Sequence, residues 1–134
     1  MNHRKTVSAL SMFFALASAG HAADVVVIGN PSAAPLTKDQ VADIFLGKSQ
    51  SSVPVDQVES APIRGEFYKK ATGRDQAQIK ALWSRLVFSG KAQPPKEVAD
   101  SAAVKKAVAA DPKAVGYIEK SAVDGTVKVL TAIE

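Results

Sequence analysis

The apolar positions of this chain change their spacing repeatedly, and each change marks an element. Asp24 to Gly29, Asp-Val-Val-Val-Ile-Gly, is an unbroken β-branched run. Its lack of alternation predicts a strand covered on both faces. Asn30-Pro31-Ser32 breaks it, and a loop with Pro35 follows. Thr37 and Gln40 have capping-box spacing, after which Val41, Ile44 and Phe45 share one helical face and Asp39 and Asp43 another. Gly47 ends that helix. Val53 to Val55 predicts a short strand, and Pro54 inside it predicts an edge strand or a crossing segment.

The second half repeats the alternation. Ile63, Phe67 and Ala71 are spaced by four, which predicts a helix with a core stripe, stopped by Gly73. Asp75 caps a helix from Gln76 to about Phe88, where Ile79, Leu82, Trp83 and Leu86 form the apolar face. Trp83 at helical spacing among leucines reads as core. Ser89 to Pro95 is a turn and a stiff extended approach to a short strand at Glu97-Val98. Ser101 is the expected cap of a helix over 102–110, and Asp100 and Asp111 read as cap and stop at its flanks. Val115 to Ile118 is a strand whose Gly116 allows close backbone approach. Asp124-Gly125 is a turn before a final strand over 127–130. The alternation predicts an α/β fold with a mixed sheet and about four helices.

The N-terminus is a different kind of segment. Met1 to Lys5 is short and basic, Thr6 to Ala19 is apolar, and Gly20-His21-Ala22 places small residues at a cleavage site. This predicts a signal peptide over 1–22, cut after Ala22, and a periplasmic domain over 23–134. The apolar run falls short of the roughly 20 residues a membrane span needs. The precursor has 17 basic and 13 acidic residues. Arg4 and Lys5 leave with the signal, so 15 basic against 13 acidic residues gives +2. With both signs interleaved, this is no nucleic-acid footprint and no membrane-binding stripe.

Removal of the signal also takes both histidines, His3 and His21, and the chain has no cysteine. Imidazole bases, thiolate nucleophiles, disulfides and the common zinc sites are thereby excluded from the mature domain. The closest carboxylates, Asp56 and Glu59, read as solvated turn acids. No catalytic constellation, metal site or cofactor motif stands out, and the expectation is a non-enzyme.

One stretch does carry candidate chemistry. Asp56, Gln57, Glu59 and Ser60 form a polar turn between the Val53 strand and the next helix. Ser60 is the expected N-cap, with Pro62 in the first turn. A helix N-terminus directly after a strand offers free N–H groups and the positive end of the dipole to an anion. Arg64 adds a positive charge one turn in.

Three blocks resemble one family. Leu36-Thr-Lys-Asp-Gln-Val-Ala-Asp-Ile-Phe-Leu-Gly-Lys48 is similar to a helix of phosphate-binding periplasmic proteins. Trp83 to Lys91, followed by Pro94-Pro95, resembles a block in their small secreted relatives. Asp111-Pro-Lys-Ala-Val-Gly-Tyr-Ile118 resembles a third element. The implied family is the phosphate transporter substrate-binding branch of the type 2 periplasmic binding proteins. It implies a single three-layer lobe here, where full-length members close two lobes on the ligand. The family's R-S-D-G-S-G-T run is replaced. Asp56 stands at the arginine position, Glu59 and Ala61 at glycines, and Ser60 at the second serine.

The resemblance implies a soluble module that binds phosphate or another small anion for an ABC transporter. Ser60, Arg64, Gln57 and Ser32 are then the candidate ligand residues. The alternative is an interaction or sensory module that docks on an envelope partner. A homodimer with facing Ser60 turns would rebuild a cleft between two copies.

Overall fold

β1 (Val25–Gly29) is the strand around which the sheet is laid, because all five of its residues are buried. A computed structural model describes residues 24–134. The expected signal peptide over 1–22 lies outside these residues. The elements after β1 are α1 (Lys38–Phe45), β2 (Val53–Gln57), α2 (Pro62–Thr72), α3 (Gln76–Phe88), β3 (Lys96–Val98), α4 (Ser101–Ala110), β4 (Ala114–Glu119) and β5 (Lys128–Ile133). The sheet order is β3-β2-β4-β1-β5. β2 runs parallel to β3 and β4, and β1 runs antiparallel to β4 and β5. The mixed sheet with four helices is the architecture the alternation predicts.

Residue alternation in β1 divides the core between two layers. Val25 and Val27 pack with α1, α2 and α3, and Val26 and Ile28 pack with Val104 and Val108 of α4. The first layer is aromatic. Phe67 stacks on Tyr117 with centroids 4.0 Å apart and planes 4° from parallel, and Phe45 meets Phe67 edge-on at 4.8 Å. Trp83 belongs to this core, and its indole N–H donates to the Phe45 carbonyl at 3.0 Å. In the second layer α4 lies close on the sheet at Gly116. A Cβ there would stand 2.4 Å from Val104 Cγ1 and 3.3 Å from the Val55 carbonyl oxygen.

The helix starts follow the cap chemistry. Thr37 and Asp75 each form a capping box, with Gln40 and Gln78 respectively. Gly47 takes the left-handed conformation, φ 78°, beyond the end of α1. Asp100, rather than Ser101, caps α4, its carboxylate accepting from the Ala103 amide at 2.9 Å.

Two expectations are corrected. β2 is an interior strand, not an edge or a crossing segment. The Val53 amide donates to Lys113 beside β4, so the alternating Pro54 nitrogen faces the β3 side. β3 pairs only with Val55–Gln57, so no ladder partner lies opposite Pro54 and its missing N–H breaks nothing. The second correction concerns the start of α2. Its N-cap is Ala61, with no side-chain cap, not Ser60. Proline holds the residue before it extended, so Ala61 sits at ψ 123° and the helix begins at Pro62. Ser60 is one position too early. β5 also runs farther than expected, with a register shift opposite Val27 and Ile28.

Candidate functional site

β2 and β3 are adjacent and parallel, yet the chain leaves them toward opposite faces. From β2 it turns through residues 58–61 into α2, on the aromatic face. From β3 it turns through Ala99 and Asp100 into α4, on the other face. This is a topological switch point, where an α/β sheet leaves a crevice beyond the carboxyl ends of its strands. A crevice of about 380 Å³ lies there, lined by Gln57, Ala61, Pro62, Ile63, Asp100, Ser101 and Glu119 among others. Two helix N-termini border it.

The two termini differ electrically. That of α4 already carries the Asp100 carboxylate. That of α2 has neither a side-chain cap nor an acidic residue in its first turn. Its positive end is therefore the one left for an external anion. The Val58–Ala61 turn is closed by the Ala61 amide donating to the Val58 carbonyl at 2.9 Å.

Gln57 forms the floor. It is 2% exposed, and its Nε2 donates to the Tyr117 carbonyl at 3.0 Å and to Ser101 Oγ at 3.2 Å. Ser101 donates onward to Glu119 Oε1 at 2.6 Å. Among the described residues, neither Glu119 nor Asp100 has an ion-pair partner.

Asp56 points to the other face. It is 2% exposed, not a solvated turn acid as its place between strand and helix suggests. Its Oδ1 accepts from the Gln57 amide at 2.8 Å and from the Tyr117 hydroxyl, and its Oδ2 accepts from the Tyr68 hydroxyl at 2.5 Å. Burial raises its pKa above the ordinary value, against the hydrogen bonds from both tyrosines and the charge of Arg64. Burial and the adjacent Asp56 charge push both phenols well up, so each stays a donor. Arg64 folds back over this cluster. Its Nη1 donates to the Gln57 carbonyl at 2.8 Å and to Glu97 at 3.0 Å, and stands 3.7 Å from Asp56 Oδ2. Burial opposes its charge, but Asp56 and Glu97 outweigh burial and its pKa is raised.

The four sequence candidates are thus distributed unequally. Gln57 lines the crevice, Ser60 is exposed in the turn beside it, and Arg64 is buried behind the turn. Ser32 lies at the opposite end of the sheet. It follows β1, whose Gly29 pairs with Val115, and bonds Asn30, which reaches the C-terminal carbonyls of α4. Sequence reading missed Ser101 and Glu119. The signal available was the pair of strand-to-helix connections, but it required knowing that β2 and β3 are neighbours.

Solved structures share this fold. A protein named as a phosphate ABC transporter substrate-binding protein, from Clostridium perfringens and with bound phosphate, superposes with a TM-score of 0.65 at 20% identity. The fold is that of phosphate transporter substrate-binding proteins. An ABC-type phosphate transport receptor from Vibrio cholerae matches with a TM-score of 0.62 at 19% identity, and PstS from Borrelia burgdorferi with 0.62 at 13%. Each match covers 81% of this chain but only 44%, 45% and 47% of the three neighbours. The chain therefore spans less than half the length of the structures it matches. No family model matches the sequence, and no curated protein does. The neighbours are named as binding and transport proteins rather than enzymes. No helix among the described residues is long and apolar enough to cross a membrane.

Proposed function

We propose that this chain is a periplasmic substrate-binding-protein-like module that holds a small anionic group at the N-terminus of α2. Signal peptide 1–22 would export it, and the domain over 23–134 would serve an ABC transporter, as the names of its fold neighbours suggest. The observation that carries the reading is the switch-point crevice with one uncapped helix N-terminus. Phosphate is the first ligand to test, because one fold neighbour holds it. Pro62 has no N–H and the Arg64 amide is given to the Ala61 carbonyl, so the Ile63 amide and the Ser60 hydroxyl would donate to the anion. Gln57 would form the floor. Arg64 would hold the turn through the Gln57 carbonyl instead of touching the ligand.

Thermal melting of the exported protein with millimolar phosphate, sulfate, acetate and glycine tests this. A saturable rise with at least one of them is expected, reduced by Ser60→Ala. Flat melting curves with all four would remove ligand capture from this crevice.

A further inference from the structure

A cavity of about 570 Å³ lies apart from the crevice and shares no lining residue with it. Its apolar walls come from a helix face and a stiff segment. Ile79, Trp83 and Val87 stand four apart, so one face of α3 lines it, and Pro94 and Pro95 line it from the approach to β3. Phe88, also part of the lining, is 92% exposed. The polar end is Arg64, which is 6% exposed. Its guanidinium donates from Nη1 alone, to the Gln57 carbonyl and to Glu97. Nε is buried without a partner. Nη2 has no hydrogen bond to a described residue either, and unlike Nε it is not sealed off. Nε and Nη2 share one edge of the rigid planar group, the edge that meets an acceptor side-on. A buried donor left over calls for an acceptor from outside the chain.

We propose that this cavity is a second binding site, for a small uncharged molecule that joins a carbonyl oxygen to an apolar ring. The carbonyl accepts from the Nε–Nη2 edge of Arg64, and the ring lies against the α3 face and the two prolines. Apolar walls around a few fixed polar groups, in a volume of about 300–1,000 Å³, are the usual form of a small-molecule site. Charge decides against an anion. Asp56, Glu59 and Glu97 line the cavity with Arg64 and Lys80, three carboxylates against two cations. Arg64 already has Glu97 at 3.0 Å and Asp56 at 3.7 Å, and Lys80 has Glu59 at 3.6 Å. A further carboxylate would add like charge to a surplus, whereas a carbonyl fills the same donors without it. A cation would leave the Arg64 edge empty and meet its repulsion. The site stands or falls independently of anion capture at α2.

Trp83 is the only tryptophan of the chain and lines the cavity, so its fluorescence reads occupancy. Titrating the exported protein with cyclohexanecarboxamide, cyclohexanecarboxylate and cyclohexylamine holds the ring constant and varies the polar end. The carboxamide is expected to give a saturable change in fluorescence and heat, and to bind at least about tenfold more tightly than either ion. Arg64→Lys keeps the charge but loses the planar edge, and should weaken the carboxamide about tenfold. Val87→Ser changes a half-exposed position outside the Asp56 cluster, and should weaken it about threefold by removing apolar contact. Should Arg64→Lys not fold, Val87→Ser carries the test alone. Either ion binding as tightly as the carboxamide, an affinity unchanged by Val87→Ser, or no saturable fluorescence or heat with any of the three would overturn the site. None of these outcomes bears on melting with phosphate, which tests the crevice.

Discussion

Asp56 and Gln57 are consecutive residues of β2, and the pleat sends their side chains to opposite faces of the sheet. Both are 2% exposed, yet they sit in different kinds of polar environment. On one face Asp56 is closed in by Tyr68, Tyr117 and Arg64, and both of its oxygens are occupied. On the other, Gln57 faces an open crevice with Oε1 unused and two carboxylates without counter-ions nearby. The difference separates structure from function at one position of one strand. A carboxylate whose two oxygens are both taken serves the fold first, although Arg64 Nε beside it is buried without a partner and both residues border a second cavity of about 570 Å³. A partly satisfied one beside solvent is where a ligand has something to complete.

The largest effect should come from removing Asp56. Asp56→Ala leaves two buried phenols without their acceptor and Arg64 with only the half-exposed Glu97 as its counter-ion. The expected loss is about 3–5 kcal/mol of unfolding free energy, the usual result of removing one member of a buried ion pair. Gln57→Ala, on the open face, should cost only about 1–3 kcal/mol, because Ser101 can turn to water and the Tyr117 carbonyl alone loses its donor. Urea unfolding of both variants breaks the comparison if the two losses are equal. Gly116→Ala comes next. Its methyl would collide with Val104, a stiff β-branched side chain, and about 1–3 kcal/mol should be lost as α4 lifts from the sheet.

A smaller effect sharpens the contrast from the crevice side. Ser101→Ala removes the hydroxyl between Gln57 and Glu119. Stability should fall by about 0.5–1.5 kcal/mol, the worth of a part-exposed hydrogen bond. Ligand affinity should change more than stability, because Glu119 loses the group that orients it. A melting shift and a titration on the same sample check both. A loss of several kcal/mol would mean that the crevice is part of the structural core.

How much of this could be read from the chain depends on how far each signal reaches. The caps at Thr37 and Asp75, the glycine after α1 and the stripe of Ile63, Phe67 and Ala71 are local, and they stand where expected. The mixed α/β architecture followed from their alternation. Burial of Asp56 could not be read in this way. Its acceptor role is completed by Tyr68 and Tyr117, 12 and 61 residues away, and the second of these is met only when β4 pairs with β2. The Asp-Gln-Val-Glu-Ser stretch therefore looks like a polar turn when its first two residues are strand. The crevice has the same character. Gln57 was visible as a candidate, but Ser101 and Glu119 become its neighbours only through the strand order β3-β2-β4. Ser32 stood out by composition, and the antiparallel course of β1 carries it to the far end.

The last comparison sets the sealed carboxylate against an exposed one, and its signs are opposite. Burial lifts the Asp56 pKa above its ordinary 3.8 despite four opposing contacts. The folded protein thus binds that proton more tightly than the unfolded chain. The stability this contributes is complete below pH 3.8 and is lost as pH rises through the folded value. Asp124 is exposed, and bonds from the Thr126 hydroxyl and amide, with Lys105 at 3.0 Å, hold it down to about 2. Its contribution is complete above 3.8 and is lost as pH falls toward about 2. Melting temperatures of wild type, Asp56→Asn and Asp124→Asn from acid to neutral pH read both terms. The advantage of wild type over Asp124→Asn should shrink as the solution is acidified from about pH 4 to about pH 2. Relative to Asp56→Asn, wild type should instead lose ground as pH rises above 3.8. A pH-independent difference between wild type and Asp56→Asn would mean that Asp56 is solvated in the folded protein, and the division of β2 into a closed and an open face would fail with it.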